Sequence, residues 1–311
     1  MLDLIVYLLP LSGELLLQEL LELENVRIKT ALLPENFIRE CQSLLPVLEK
    51  NDIRYKFPRG NLEDEELRNW VRKDNYDLGV SIGYDKKLPS WLINTPRLQS
   101  INIHPSLLPS YRGGNPYFWV IKNREKKTGV TLHIMDENFD TGPVICQEEY
   151  QLNENALMGE IFITLNKMGS QMAGDLVDRL AGGEAMPETT PQGQVEDPPT
   201  APRVEDRHLR IDWSESFADI EALVRAGNPF FGAFSLFKGQ KLEIYELEKA
   251  PEIEKNSKPG RIFTTDKGPA VCCGNGWARL KNVSLQHQYR LSGQAFQRRE
   301  KETIKVLKQL V

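Results

Sequence analysis

Residues 101–142 read INIHPSLLPSYRGGNPYFWVIKNREKKTGVTLHIMDENFDTG, and this stretch decides the fold. Asn102 and His104 lie two apart in an apolar run, so on a strand both point to the same face. Pro105 keeps His104 extended and cannot donate to a ladder, so the strand is expected to stop there. The imidazole then sits at the carboxyl end of its strand, where open α/β sheets bind ligands. Asp140 opens an Asp-Thr-Gly turn farther on. Amide, imidazole and carboxylate thus fall within one short span.

Upstream, strand-like and helix-like segments alternate, which favours a parallel sheet flanked by helices. Leu4–Leu9, Val26–Leu33, Ile53–Phe57 and Leu78–Ile82 read as strands, and Ser100–Ile103 as the strand that ends at the site. Ser12 is suited to cap a first helix, with Glu14 in its opening turn. Phe37–Lys50 and Asp64–Lys73 read as further helices. Downstream, Val130–Met135 and Val144–Tyr150 read as paired strands, with His133 an ordinary member of the first. Over 154–182, apolar residues from Leu157 to Leu180 recur every three or four positions, the period of one helical face. Met168 and Met172 on that face read as core filling. Tyr117, Phe118 and Trp119 likewise read as helix core. No G-x-G-x-x-G or Walker pattern is present, which argues against a dinucleotide or ATP site.

Residues 187–202, PETTPQGQVEDPPTAP, are dense in proline and polar residues and read as a linker. Beyond them, Ser216 and Asp219 make a capping-box-like helix start. Short strands are expected over 233–237, 241–247, 261–265, 270–273 and 277–285. Lys238-Gly239, Asp266-Lys267-Gly268 and Gly274-Asn275-Gly276 are the expected turns between them. That pattern predicts a small β-barrel of OB-like type. The expected organisation is a doubly wound, mostly parallel α/β catalytic domain over 1–186, a linker over 187–202 and an OB-like domain over 203–311.

The 311 residues are 40% hydrophobic and 27% charged, a composition of soluble globular proteins. The amino-terminal MLDLIVYLLPLSGELLL carries Asp3 and Glu14 and no basic leader, so it reads as a buried strand, a turn and a helix rather than a signal peptide. No apolar run reaches membrane-spanning length. Cys41, Cys146, Cys272 and Cys273 lack zinc-like spacing and read as reduced, buried thiols of a cytoplasmic protein. The charge is uneven: residues 203–311 hold 19 Lys/Arg and 14 Asp/Glu, against 20 and 30 in residues 1–202. The basic surplus after Gly276 reads as a solvated helix, or as a surface that tracks phosphate.

Three patterns carry a resemblance. Asn102–Gly113 reads N-x-H-P-S-L-L-P-x-Y-R-G, Thr128–Thr131 reads T-G-V-T, and Asp140–Gly142 reads D-T-G. Together they closely resemble the 10-formyltetrahydrofolate-dependent formyltransferases. Arg210–Ser214, Arg225–Pro229 and Gly232-Ala233-Phe234 resemble the carboxyl-terminal domain of the tRNA-directed members. The resemblance implies that Asn102, His104 and Asp140 form the catalytic set and that 10-formyltetrahydrofolate is the co-substrate, with no metal. It also implies a pterin pocket at Gly83, Tyr84, Leu88, Pro105 and Asp136, and acceptor contacts at Ser106, Arg112 and Gly113. Gly83–Pro89 departs from the tyrosine-glycine-x-x-leucine-proline usual in the tRNA enzymes.

Formyl transfer is attack by an amine on an activated formyl carbon through a tetrahedral oxyanion. His104 is suited to take the amine proton, or to donate to the oxyanion when protonated. The Asn102 amide is suited as the oxyanion donor, a role worth roughly 2.7–4 kcal/mol in acyl-transfer sites. Asp140 is suited to hold the imidazole in one tautomer or to relay its proton. Sequence leaves open which of His104 and Asp140 is the formal base. Arg112 suits either an acceptor phosphate or carboxylate, or a structural ion pair.

The tRNA enzymes carry a long basic insertion after the second strand. Here that region reads ALLPENFIRECQSLLPVLEKNDIRYKFPRG, without a basic loop. The acidic first domain also opposes a phosphate backbone. Tyr111–Val120 is similar to the sugar-directed relatives. A small amine, such as a nucleotide-linked amino sugar, is therefore the favoured acceptor. Methionyl-tRNA formyltransferase is the second reading, supported by the carboxyl-terminal resemblance. A 10-formyltetrahydrofolate hydrolase and a non-enzymatic nucleic-acid-binding protein built around the barrel remain as further alternatives, and oligomeric state is open.

Overall fold

The computed structural model describes residues 1–60, 62–285 and 290–307, with side chains through Glu300. The chain divides into two compact units. The first contains Met1–Pro116, Lys127–Gln151 and Phe162–Pro202; the second contains Tyr117–Lys126, Leu152–Ile161 and Arg203–Val311.

The first half of the chain runs β1 (Leu2–Leu8), α1 (Ser12–Leu20), β2 (Val26–Leu32), α2 (Leu45–Lys50), β3 (Arg54–Lys56), α3 (Glu65–Val71), β4 (Leu78–Ile82), α4 (Ser90–Ile93) and β5 (Ser100–His104). It continues with α5 (Pro116–Lys122), β6 (Lys127–Ile134), β7 (Val144–Gln151) and the long α6 (Met158–Ala181). The seven strands order β3-β2-β1-β4-β5-β6-β7. The first five run parallel, and β6 and β7 are antiparallel additions. Strand order reverses direction between β1 and β4, the place where open sheets of this kind form a ligand crevice. The sheet is mostly parallel and Rossmann-like, as the alternation of segments predicts.

Burial follows the sequence pattern. β1 and β4 are central, and Leu4, Ile5, Val6, Leu78 and Val80 are fully buried, hence their near-continuous apolar runs. Each such side chain contributes about 1.5–3 kcal/mol by leaving water. Gly169 of α6 lets that helix close onto β5 and β6, because an added Cβ would meet Ile103 at 2.4 Å and Val130 at 3.0 Å.

Several local expectations change. The helix read over Phe37–Lys50 is two short 3-10 turns followed by α2. Pro46 is the cause: it has no N–H to donate, and its ring would clash in a continuous helix, so the helix restarts there. Ser12 does not cap α1. Leu11 occupies the cap position at φ +63°, and the Ser12 hydroxyl donates to the Leu9 carbonyl at 3.4 Å. Cys146, expected buried, is exposed on β7, while the other three thiols are buried.

The second unit comprises α7 (Asp206–Leu209), α8 (Phe217–Gly227), β8 (Ala233–Phe237), β9 (Gln240–Ala250), β10 (Ile262–Phe263), β11 (Ala270–Cys273), β12 (Gly276–Leu285), β13 (Leu291–Ser292) and α9 (Gly293–Leu307). Its strands form an antiparallel sheet in the order β10-β11-β12-β9-β8, with β13 paired to β12. Ser216 caps α8 as its position predicts, accepting from Asp219 N at 3.2 Å. Lys238 and Gly239 both take positive φ and close the two-residue β8–β9 hairpin.

The unit boundaries are not where the composition places them. α5 belongs with the second unit: Phe118 stacks edge-on against Phe231 at 6.1 Å, and Trp119 against His208 at 5.1 Å. The segment read as a linker belongs to the first unit. Thr190 exchanges two 2.8 Å backbone hydrogen bonds with Val144, and Ala201 N donates to the Arg112 carbonyl at 2.7 Å.

Candidate active site

β5 delivers Asn102 and His104 to one face, as a two-residue spacing requires. β6 pairs with it so that Asn102 lies opposite His133 and His104 opposite Thr131. The loop after β6 then carries Asp140 back to that face. Asp140 Oδ1 lies 3.4 Å from His104 Nδ1 and 3.4 Å from Asn102 Nδ2. The three residues read from the motif therefore converge on a single carboxylate oxygen.

The hydrogen bonds fix the ring tautomers. His104 Nε2 donates to the Tyr111 carbonyl at 2.9 Å, which leaves Nδ1 to face Asp140. His133 Nδ1 donates to the Ile134 carbonyl at 2.8 Å. Its Nε2 accepts from the Asn102 amide at 3.2 Å, and it lies 3.8 Å from Asp140 Oδ1. Tyr111 and Asp140 hold left-handed backbone at φ +60° and +57°. For Tyr111 this conformation is costly, and such strain gathers at functional sites.

Electrostatics follow from burial. His104 is 4% exposed, and desolvation lowers its pKa below the ordinary 6.5; the Asp140 carboxylate and the Tyr111 carbonyl oppose that shift without overturning it. Burial by itself pushes the Asp140 carboxyl up. The His104 imidazole, the His133 ring and the Gly113 N–H outweigh it and hold the carboxyl at about 2. The Gly113 N–H donates to Asp140 Oδ2 at 3.0 Å. At neutral pH the site thus presents a neutral imidazole beside a carboxylate.

The other predicted residues have their own local partners. Ser106 is buried; its hydroxyl donates to the Ser110 carbonyl at 2.6 Å and its carbonyl accepts from Thr131 at 2.6 Å, so it shapes the loop after Pro105. Arg112 Nε and Nη2 both donate to Gln192 Oε1, at 3.1 and 2.5 Å. Asp136 uses its carboxylate inside its own loop, accepting from Asn138 N at 3.0 Å and from Thr141 Oγ1 at 2.7 Å. Gly83 is exposed at φ +66°, just past β4. Tyr84 packs against Tyr7, and its buried hydroxyl has no hydrogen-bond partner among the described residues. Leu88 is 3% exposed and joins the same apolar cluster. A cleft of about 630 Å³ opens along this segment, with Leu62, Lys87, Leu88, Ser90 and Glu137 among its walls. Glu137 belongs to the loop that carries Asp140.

Two residues were not singled out from sequence. His133 reads as an ordinary strand residue until the β5–β6 register sets it against Asn102. Gln192 lies in the proline-rich stretch and reaches the Asp140 loop, donating to the Asp140 carbonyl at 2.8 Å and the Gly142 carbonyl at 2.9 Å. Neither carries a usable signal: Thr128–Ile134 of β6 are all buried, so nothing marks His133 out along the strand, and Gln192 sits among prolines. Among the described residues, no cluster of three or more His, Cys, Asp or Glu is placed to hold a metal ion. No described helix is long and apolar enough to cross a membrane.

Residues 38–172 match the formyl transferase family and residues 203–301 the formyl transferase carboxyl-terminal domain. A methionyl-tRNA formyltransferase of Acetivibrio thermocellus is 31% identical over 78% of this chain and 77% of its own. Among solved structures, HypX from Aquifex aeolicus in complex with tetrahydrofolic acid aligns at 19% identity and TM-score 0.62, over 89% of this chain and 47% of its own. The chain thus spans about half the length of HypX. An N-formyltransferase from Helicobacter canadensis, in complex with folinic acid and dTDP-3-aminofucose, aligns at 17% identity and TM-score 0.64, over 89% of this chain and 98% of its own. The convergent site lies within the first matched segment, and the two matches together reach across both units: the chain belongs to the formyl transferase family.

Proposed function

We propose that this protein transfers the formyl group of 10-formyltetrahydrofolate to the primary amine of a small acceptor. One observation carries the reading: Asp140 Oδ1 stands 3.4 Å from both His104 Nδ1 and Asn102 Nδ2. Folate dependence is supported by the family and by the folate ligands of the aligned HypX and Helicobacter structures. The cleft of about 630 Å³ beside Leu88 is the proposed seat of the pterin. Leu62, Leu88 and Pro89 offer apolar surface for a flat heterocycle, and Glu63, Lys86, Lys87, Ser90 and Glu137 offer polar groups around it.

In this reading the neutral His104 takes the amine proton at Nδ1 as the amine nitrogen bonds the formyl carbon, and the proton passes on to the folate N10 as the C–N10 bond breaks and tetrahydrofolate leaves. His104 Nδ1 faces Asp140 Oδ1, so the imidazolium forms directly against a carboxylate. The Asn102 amide now donates to His133 and, through a long 3.4 Å contact, to Asp140. Exchanging the longer bond for a developing oxyanion is the proposed stabilising step. Apo sites commonly hold such loose hydrogen bonds before substrate arrives. The His104 and His133 rings, with the Gly113 N–H, hold the Asp140 carboxyl low.

The small acceptor is favoured by the acidic residues 1–202, with 20 Lys/Arg against 30 Asp/Glu. It is also favoured by the lack of a basic insertion after β2, where 3-10 turns and α2 lie instead. A second reading, initiator methionyl-tRNA as acceptor, is supported by the carboxyl-terminal family match and the names of the sequence relatives. The six-stranded sheet of the second unit is proposed as an OB-like fold, which suits either acceptor. An absorbance assay of tetrahydrofolate release distinguishes them. Turnover with amino-sugar nucleotides and none with methionyl-tRNA is expected; the reverse adopts the second reading. Release that ignores every amine makes the protein a hydrolase.

A further inference from the structure

We propose that Gln192 is a positioning residue for Asp140, set in place because Thr190, Pro199 and Ala201 fasten its segment to the loops around the site. The proposal rests on the formyl-transfer reading for its kinetics, though not for its geometry. One side-chain amide makes four contacts here. Its Oε1 accepts both Arg112 Nε and Nη2; its Nε2 donates to the carbonyls of Asp140 and Gly142. These two carbonyls flank Thr141, so the amide holds the turn that aims the Asp140 carboxylate.

The same segment supports the other catalytic side. Tyr111 N donates to the Pro199 carbonyl at 2.5 Å, Asn115 N to the Ala201 carbonyl at 3.2 Å, and Ala201 N to the Arg112 carbonyl at 2.7 Å. Tyr111 in turn accepts from His104 Nε2. Gly113, at φ +121°, has to be glycine for this approach, because a Cβ there would meet the Ala201 carbonyl oxygen at 2.5 Å. Asp140 and the carbonyl that orients His104 are therefore both fastened to 190–201. Asp140 sits at φ +57°, a conformation that its own chain does not favour, so removing the clamp releases it.

The test uses Gln192→Met, close in volume and unable to donate, with Gln192→Ala, Gln192→Glu and the exposed control Gln194→Ala. Steady-state kinetics are read together with the NMR titration of His104 in the free protein. Asp140, His133 and Arg112 are the charged or titratable groups that face this ring. Of these, Asp140 alone raises its pKa. Gln192→Met and Gln192→Ala should lower kcat roughly 10- to 100-fold with little change in KM, as small misplacements of a reacting group do. They should also move the His104 titration to lower pH. Gln192→Glu keeps the acceptor for Arg112 but cannot bond the two carbonyls, so its kcat should fall as well. Gln194→Ala should match wild type in both readouts. Unchanged kcat in Gln192→Met or Gln192→Glu overturns the proposal. So does a fall in kcat with the His104 titration unmoved, which would mark Gln192 as merely structural. The titration needs no turnover, so it judges the clamp even where formyl transfer itself fails.

Discussion

Asp140 is the residue on which the site turns, and its ionisation gives two expectations. Its folded-state pKa of about 2 lies below the ordinary 3.8, so the folded protein binds fewer protons than the unfolded chain between those values. The stability it supplies is intact above about pH 4 and is lost as pH falls toward about 2. His104, also lowered, adds a loss of stability that begins as pH falls below 6.5. Urea unfolding from pH 7 to pH 2.5 should therefore show stability falling in two stages, and Asp140→Asn should shrink the lower one, to which the lowered carboxyls of Asp3, Asp212 and Asp219 also contribute. An identical acid profile in the variant would show that the carboxylate is not held as described. The rate should obey the same geometry. The acidic limb of kcat/KM should lie below pH 6.5, and Asp140→Asn should move it lower while cutting turnover, because the carboxylate raises the imidazole pKa. Asn102→Ala should lower kcat at least ~100-fold. Asn102 and His104 were legible because a two-residue spacing before a proline has few structural solutions. His133 was not, because its place depends on which strand lies opposite, and pairing register is a tertiary fact.

The elements show where local chemistry speaks and where it is overruled. The Lys238-Gly239 hairpin and the Ser216 cap follow from residue type. The break in the helix at Pro46 was equally available in the sequence, but the apolar run around it dominates the reading. Segment 187–202 misled because its prolines suit an extended strap as well as a flexible linker, and composition does not distinguish them. The loop that carries Asp140 offers an element-scale test. A Cβ on Gly142 would sit 1.9 Å from the Ile134 carbonyl oxygen, the same oxygen that accepts from His133 Nδ1. Gly142→Ala should destabilise the protein by about 1–3 kcal/mol and depress activity, since the β6 end and the Asp140 turn must separate. Thermal unfolding checks the first part, and a variant as stable as wild type would place the loop differently.

Over the whole molecule, the order of segments gave the parallel sheet, but the division into units escaped it. α5 and residues 152–161 join the second unit because their partners lie far along the chain. Sequence periodicity reports that a face is apolar without saying what covers it. Charge distribution reads more directly. With an acidic first unit and a small acceptor, activity should vary little between about 50 and about 200 mM salt, since few phosphate contacts release counterions. A fall of several orders of magnitude with methionyl-tRNA, and no turnover of amino sugars, would contradict that reading.

The central claim is that His104, facing Asp140 and set beside Asn102, moves the proton of the attacking amine. The most direct test is the rate of amine-dependent tetrahydrofolate release from 10-formyltetrahydrofolate by wild type and His104→Gln, with folding verified by circular dichroism. A fall of at least ~100-fold in kcat with an intact fold is the expected result. Near-wild-type turnover in a folded His104→Gln protein would contradict the account.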